Sequence, residues 1–141
     1  QLTNLLIMKK NLLLVVAAVF ALTAIFTLNS CKKDEPSDVE TFAMKSEIAF
    51  ENFSDEEKAV FQGLIDLTKK VSVGDYTLVN AKTVVYNSAQ QMKSKFAELV
   101  PAFGDGQKIT YTINLYKGST ATGTPVYSQS IVTTKDGAVI K

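Results

Sequence analysis

The chain has 141 residues, a length that suits a single domain. Its 15 basic and 14 acidic residues leave a formal net charge of +1. Nucleic-acid binders present a clustered basic surface, so this balance argues against nucleic acid as a partner.

The side chains that most enzymes and metal sites use are scarce. All basic residues are lysines, so the chain has no arginine to clamp a phosphate or carboxylate. It also has no histidine, the usual acid/base catalyst near neutral pH and the commonest metal ligand. The single cysteine allows neither an internal disulfide nor a multi-cysteine metal site. We therefore expect a protein that is not an enzyme and that holds no cofactor or metal.

Residues 1–30 are predicted to be a signal peptide. Lys9 and Lys10 follow Met8, and residues 12–26 read LLLVVAAVFALTAIF. A basic start, an apolar run and small residues before a cut point are typical of a secretory signal. Residues 12–28 span 17 positions, the lower limit for a membrane-spanning helix, so we favour cleavage over a transmembrane anchor. Residues 1–7 precede Met8, which we take as the true start.

The end of this apolar run resembles the lipobox of bacterial lipoproteins. Leu28, Asn29, Ser30 and Cys31 supply an aliphatic residue, a tolerant position, a small residue and the obligatory cysteine. The resemblance implies cleavage before Cys31, diacylglycerol on its thiol and acylation of the new amino terminus. Several acyl chains hold a domain durably on a membrane, because each buried methylene contributes about 0.8 kcal/mol.

The next residues resemble the export signal of Bacteroidetes-type surface lipoproteins, a lysine followed by two acidic residues. Here these are Lys33, Asp34 and Glu35. The resemblance implies an outer-membrane lipoprotein that faces the cell exterior. The alternative is the periplasmic face, with the charges serving only as a solvated linker.

Residues 31–40 are predicted to be a lipidated flexible tether, because Pro36, Ser37 and several charges accompany one valine. Residues 41–141 are predicted to form a single α+β domain with two helices packed on one face of a small, mostly antiparallel β-sheet. This domain resembles no family; the resemblance covers residues 8–35 only.

Two helices are predicted in the first half of this domain. Apolar residues at even positions over 42–50 first predict a strand, with a helix as the alternative. Ser54 and Glu57 then form a capping box for a helix over residues 55–70, closed by two lysines. The second helix is predicted over residues 81–100, with Asn80 as its N-cap and Pro101 as its stop.

The segments between and after the helices predict further strands. Gly74 and Asp75 predict a turn before a short strand over residues 76–79, and the β-branched residues Thr83-Val84-Val85 favour a strand before the second helix. Residues 109–116 alternate apolar and polar side chains and predict a half-buried strand. After a loop over residues 118–123, Pro125 begins an antiparallel partner strand to about Thr134, and residues 138–140 add an edge strand.

Several carboxylates and serines have structural explanations. Asp55, Glu56 and Glu57 suit helix capping better than acid/base work or calcium binding, and Asp105 lies in a common Gly-Asp-Gly turn. Ser94 and Lys95 are adjacent on a helix, so they point in different directions and match no catalytic motif.

Two tyrosines mark the best candidate binding surface. Tyr111 faces the buried side of its strand, whereas Tyr116 faces the other side near the loop, where Tyr127 comes close across the hairpin. Exposed aromatic rings stack on sugars and anchor protein interfaces, so a glycan or a protein is the expected ligand. Strand propensity alone also explains both tyrosines, and we favour this interpretation. If the domain has a binding surface, we expect it on the outer sheet face and this loop.

The sequence thus predicts a small, surface-anchored lipoprotein that binds a ligand and catalyses nothing. The alternative is an accessory subunit of an envelope complex on the periplasmic side, which would carry a large exposed apolar patch. A hydrolase built from lysine, acidic residues, serine or tyrosine would need a deep pocket lined by several of them.

Overall fold

A computed structural model describes residues 38–141. The signal peptide, the lipobox ending at Cys31 and the export signal at residues 33–35 lie outside the described residues and stay predictions. The strands are β1 Glu40–Glu51, β2 Ser72–Tyr76, β3 Lys108–Lys117, β4 Tyr127–Thr134 and β5 Gly137–Ile140. The helices are α1 Asp55–Ala59, α2 Gln62–Leu67 and α3 Leu78–Ala97, followed by a short 3₁₀ helix over Val100–Ala102.

The five strands form one sheet in the order β2-β1-β3-β4-β5, and every neighbouring pair is antiparallel. Helix α3 packs across β3, β4 and β5, and α2 contacts β1. The α+β class, with helices against a mostly antiparallel sheet, is therefore confirmed.

The register of the central strands divides the sheet into an inner and an outer face. Met44 pairs with Leu115 and Ile48 with Tyr111, so the even positions of β1 and the odd positions of β3 share the inner face. This face packs against α3 in a single core. The core residues are Phe42, Met44, Phe61, Leu64, Tyr76, Ala81, Val85, Ala89, Met92, Phe96, Leu99, Phe103, Ile109, Tyr111, Ile113, Leu115 and Ile131.

Strand β1 confirms the alternating pattern read from its sequence, and the helical alternative for this segment is wrong. The strand pairs with β2 on one side and with β3 along its length on the other. Hydrogen bonds on both sides of the strand and burial of every second side chain stabilise the extended backbone.

The helix predicted over residues 55–70 is in fact two helices. The capping box is present, because Ser54 Oγ accepts from the Glu57 amide at 3.1 Å and Glu57 returns a carboxylate to the Ser54 amide at 2.9 Å. The break lies at Val60 and Phe61, where φ −97° and ψ 19° take Phe61 out of the helix. Helix α2 ends at Leu67, before the two lysines expected to close the helix.

The aromatic rings explain this break. Phe61 is buried, with ring centroids 5.7 Å from Phe50 and 5.8 Å from Phe53, and Phe53 lies 5.7 Å from Phe103. Ring pairs at these distances contribute beyond the area that they bury. The packing energy that Phe61 gains in this cluster outweighs the energy of the hydrogen bonds that one continuous helix would add.

The turn predicted at Gly74 and Asp75, and the strand predicted over residues 76–79, are wrong. Both residues lie inside β2, where Gly74 pairs with Phe42 of β1. A Cβ on Gly74 would lie 2.7 Å from Tyr76 Cε2. Glycine is therefore needed here because the Tyr76 ring covers it, which a turn-based interpretation of the sequence misses.

Helix α3 begins at Leu78, so Asn80 is not its N-cap. The cap is Thr77, whose Oγ1 accepts from the Asn80 amide at 3.1 Å. Residues 83–85 are helical, and the strand favoured by their β-branched side chains is wrong. Val85 lies in a buried stripe with Ala89, and burial at helical spacing outweighs a weak β propensity. The helix ends at Ala97, and Pro101 lies in the 3₁₀ helix that follows.

The last three strands lie close to their predicted positions. β4 begins at Tyr127 rather than at Pro125. The Val126 amide does donate to the Leu115 carbonyl at 2.7 Å, but this bond is not part of the regular pairing between β3 and β4. The edge strand β5 follows a tight turn in which Gly137 has φ 142°.

Candidate functional site

The outer face of the sheet carries a band of polar side chains. Odd positions of β1 and even positions of β3 and β4 contribute them, because these positions alternate with the core-facing ones. Glu47 and Ser128 are exposed, and Asn114 is buried between their strands with 3% of its surface exposed. We call Lys45, Glu47, Thr112, Asn114, Ser128 and Ser130 the polar band.

Hydrogen bonds tie three strands of the polar band together. Asn114 Nδ2 donates to Glu47 Oε2 at 2.5 Å, and Asn114 Oδ1 accepts from Ser128 Oγ at 2.6 Å. Beside them, the hydroxyls of Thr112 and Ser130 lie 2.8 Å apart. Both the donor and acceptor sides of the Asn114 amide are used, so the side chain has one preferred orientation. The band is therefore ordered before any ligand arrives.

Lys45 joins the polar band to the end of α2. Its Nζ donates to the backbone carbonyl of Thr68, the residue that caps α2. The last carbonyls of a helix lack partners within the helix, and a lysine satisfies one of them. The contact fixes α2 against the side of β1.

Tyr116 and Tyr127 lie on opposite faces of the sheet. Tyr127 pairs with Leu115, which places it on the inner face, and the next residue of β3, Tyr116, therefore belongs to the outer face. Tyr116 is 9% exposed. The structure does not bring these two tyrosines together as one binding surface, because the hairpin register opposes Tyr127 to a core residue.

Tyr127 instead contacts helix α3. The ammonium of Lys82 lies 5.6 Å from the centroid of its ring, within the range of a cation–π contact. Its hydroxyl accepts from Gln129 Nε2 at 3.0 Å. These contacts give Tyr127 a role in holding α3 to β4, while Tyr116 remains at the end of the polar band.

A shallow cleft of about 290 Å³ lies at the other end of the sheet. Its charges pair locally: Lys108 Nζ is 3.3 Å from Glu51 Oε2, and Lys135 Nζ is 2.5 Å from Asp105 Oδ1. Exposed pairs of this kind contribute little to stability. The lysines that line the cleft therefore already have partners, and Asp105 has one on the β4–β5 turn.

The serine and lysine considered for catalysis are engaged separately. Ser94 Oγ donates to the Gln90 carbonyl at 3.3 Å, and Lys95 Nζ lies 3.6 Å from Glu98 Oε2. Among residues 38–141, no group of three or more acidic or cysteine side chains is placed to hold a metal ion. Within the same range, none of the helices is long and apolar enough to cross a membrane.

Two buried hydroxyls lie on the inner face. Within the described part of the chain, Tyr111 OH and Thr133 Oγ1 have no hydrogen-bond partner. Burial raises the pKa of Tyr111. The nearby Ser46 side chain lowers it in part, although its contact with the Tyr111 hydroxyl does not meet the geometry of a hydrogen bond. Burial also raises the pKa of Tyr76. Both phenols therefore stay protonated at neutral pH.

Comparison of the chain with protein-family models, curated proteins and solved structures finds no match. The polar band is thus defined by its geometry. Sequence reasoning missed Glu47 and Asn114, although both occupy solvent-side positions of alternating strands. Alternation shows which face a residue takes, but it does not show that Glu47 and Asn114 are neighbours.

Proposed function

We propose that this chain is a lipid-anchored binding module without enzymatic activity, held through Cys31 in the outer membrane of a Bacteroidetes-type bacterium and facing the cell exterior. Its ligand is a glycan or a protein, bound on the polar band. The hydrogen-bonded row of Glu47, Asn114 and Ser128 carries this proposal.

The row offers the kind of groups that a polar ligand needs. A carboxylate and hydroxyls stand side by side across three strands, with the buried Asn114 amide between them, and sugar or peptide groups both donate and accept hydrogen bonds. Because Asn114 already fixes the orientation of its neighbours, a ligand would lose less affinity to ordering of side chains. A rigid sheet also positions groups more accurately than a loop does.

The cleft near Lys108 does not suit acid/base catalysis. Acid/base catalysis needs titratable groups that converge on an enclosed cavity. In the described residues, the cleft near Lys108 is shallow, and its lysines pair with neighbouring acids.

A second candidate is an accessory subunit on the periplasmic side of an envelope complex. Apolar side chains at the start of α3 favour it, because Val79 is 71% exposed, Tyr86 48% and Leu78 41%. Such side chains suit a protein partner.

Protease shaving of intact cells separates the two candidates. Cells producing the full chain with a C-terminal tag are treated with protease before or after lysis. We expect the tag to be lost from intact cells, and a variant with alanine at Lys33, Asp34 and Glu35 to be protected until lysis. Protection of the parent chain in intact cells would contradict surface exposure and favour the accessory subunit.

Ligand binding is tested with two carboxylate variants of one strand. Glu47→Gln alters the polar band, and Glu51→Gln alters an exposed glutamate of β1 that pairs with Lys108. On glycan arrays and host-protein arrays, we expect the parent and Glu51→Gln to bind the same ligand and Glu47→Gln to bind at least about tenfold more weakly, as for a lost charge-assisted hydrogen bond. Equal binding by both variants would exclude the polar band as the site.

A further inference from the structure

Strand β2 lies at an edge of the sheet, and its outward backbone groups can be assigned. The Gly118 amide donates to the Thr41 carbonyl at 2.8 Å, so the odd residues of this part of β1 bond to β3. Backbone groups alternate sides along a strand. The even residues of β1 therefore bond to Ser72, Gly74 and Tyr76 of β2. The N–H and C=O groups of Val73 and Asp75 point away from the sheet.

The side chains along this edge are apolar in the middle and charged at the ends. Val71 is 43% exposed and Val73 is 48% exposed. Lys69 precedes them, and Asp75 follows them. Proteins usually protect an edge strand by keeping it very short or by placing a charge (most often lysine), a proline or a bulge within it. β2 has five residues, and Asp75 near its end is its one charge. The β2 sequence, SVGDY, contains neither lysine nor proline.

This arrangement is complementary to itself. A two-fold axis normal to the sheet pairs two β2 strands antiparallel and keeps their outer faces continuous, so residues must oppose others of the same face. With Val73 at the axis, it opposes Val73 of the second copy. Asp75 then opposes Val71 of the second copy, and Lys69, in the turn before that strand, lies diagonally beyond it. Asp75 Oδ1 accepts from Thr41 Oγ1 at 2.7 Å but stays exposed, so its charge can attract this lysine. A parallel pairing would bring like charges together.

Strand β5, the other edge, lacks this complementarity. Val139 is also 48% exposed. An antiparallel pairing centred on Val139 opposes Gly137 to Lys141 and provides no acidic partner for that lysine. At the preceding turn, Lys135 is held by Asp105 at 2.5 Å, a closer pair than the 3.8 Å between Lys69 and Asp66 beside β2.

We propose that β2 pairs antiparallel with β2 of a second copy of this chain, with Val73 at the two-fold axis, and that the two five-stranded sheets become one continuous sheet. The outer faces of both copies then form one surface. The pairing is independent of which ligand the polar band binds. Its short strands bury less area than a permanent dimer needs, so the association is reversible.

Cysteine crosslinking tests the pairing in cells that produce the full chain. Val73→Cys places two thiols across the axis, because Cα atoms of a hydrogen-bonded pair lie about 5.5 Å apart, within the range of a disulfide. Val139→Cys is the matched control, with equal exposure on the other edge. The parent chain, with Cys31 alone, sets the background. After mild oxidation, we expect a disulfide-linked dimer for Val73→Cys at about ten times the yield of the control, reflecting proximity.

The outcomes are distinct. Equal yields for the two cysteine variants, or a Val73→Cys yield at the parent background, would overturn the proposal. A crosslinked band that contains a different protein would show that another chain's strand occupies the edge, and would also overturn it.

A charge exchange tests the pairing without relying on a disulfide. In the Val73→Cys chain, Asp75→Lys sets lysine beside lysine at both ends of the pair and should lower the dimer yield about fivefold, since each exposed pair is weak but occurs twice. Adding Lys69→Glu restores opposite charges and should restore the yield. Failure of this restoration would exclude the proposed pairing. The restored chain carries one substitution more than the Asp75→Lys chain, and both charge changes lie on exposed side chains. General destabilisation would therefore lower its yield further and could not raise it.

Discussion

Replacement of Asn114 by alanine is the sharpest test of the polar band as an ordered structure. Asn114 is 3% exposed and bonds to Glu47 of β1 at 2.5 Å and to Ser128 of β4 at 2.6 Å. The variant removes both hydrogen bonds and, with them, a side chain that links β1, β3 and β4 on the outer face.

The expected loss follows from these two bonds. A typical side-chain hydrogen bond contributes about 1 kcal/mol, and one to a charged group contributes more. Glu47 and Ser128 are exposed, so water solvates both after the substitution. We therefore expect the free energy of unfolding to fall by about 1.5 kcal/mol. For a domain of this size, that lowers the melting temperature by roughly 6–12 °C.

Thermal unfolding followed by circular dichroism measures the effect, and a double-mutant cycle assigns it. The control is Asn87→Ala, an exposed position on α3 where alanine favours the helix slightly. Asn114→Ala and Glu47→Ala should be coupled by roughly 0.5–1 kcal/mol because they share a bond. A melting temperature within about 2 °C of the parent for Asn114→Ala, which corresponds to less than about 0.5 kcal/mol, or full additivity in the cycle, would refute the argument.

Three further predictions concern elements that hold the fold. Phe61→Ala should cost about 3–5 kcal/mol in urea unfolding, and Phe53→Ala clearly less because Phe53 is only partly buried; equal losses would contradict the reason given for the break between α1 and α2. Ser54→Ala should cost about 1 kcal/mol, and Ser54→Asp should recover most of it; an unchanged midpoint for Ser54→Ala would show that the capping box adds nothing. Tyr111→Phe should leave stability at pH 7 within about 1 kcal/mol of the parent, because the hydroxyl has no partner in the described residues. Burial raises the folded-state pKa of Tyr111 above its ordinary value of 10.0. The stabilisation from burying the protonated phenol is therefore complete below that pH and is lost as pH rises through the folded-state pKa. The parent should lose more stability above pH 10 than Tyr111→Phe, and parallel pH profiles would contradict this.

Short sequence patterns predicted those parts of the fold that depend on interactions between residues close together in the chain. Alternation identified β1 and β3, and the capping box marked the start of α1. Helix α3 was found through its buried stripe, although its N-cap was assigned three residues too late, to Asn80 instead of Thr77. Caps are decided by single hydrogen bonds, so neighbouring polar residues compete closely for the position.

Two other errors come from side-chain and strand contacts that form only in the folded chain. The sequence around Gly74 predicts a turn, but in the structure Gly74 pairs with Phe42 and is covered by the Tyr76 ring. The sequence predicts that Phe61 lies within one helix, but in the structure it packs against Phe50 and Phe53 and the helix breaks there.

The α+β class, the two alternating central strands and the capped start of the first helix could be predicted from the sequence, because each depends on spacing within a few residues. The sequence also supports the predicted lipid anchor at Cys31, which stays a prediction. The opposite faces of Tyr116 and Tyr127, and the row of Glu47, Asn114 and Ser128, became visible only in the folded arrangement of the strands. Cross-strand neighbours are set by the register of strands far apart in the chain, and a shift of one residue would exchange every face.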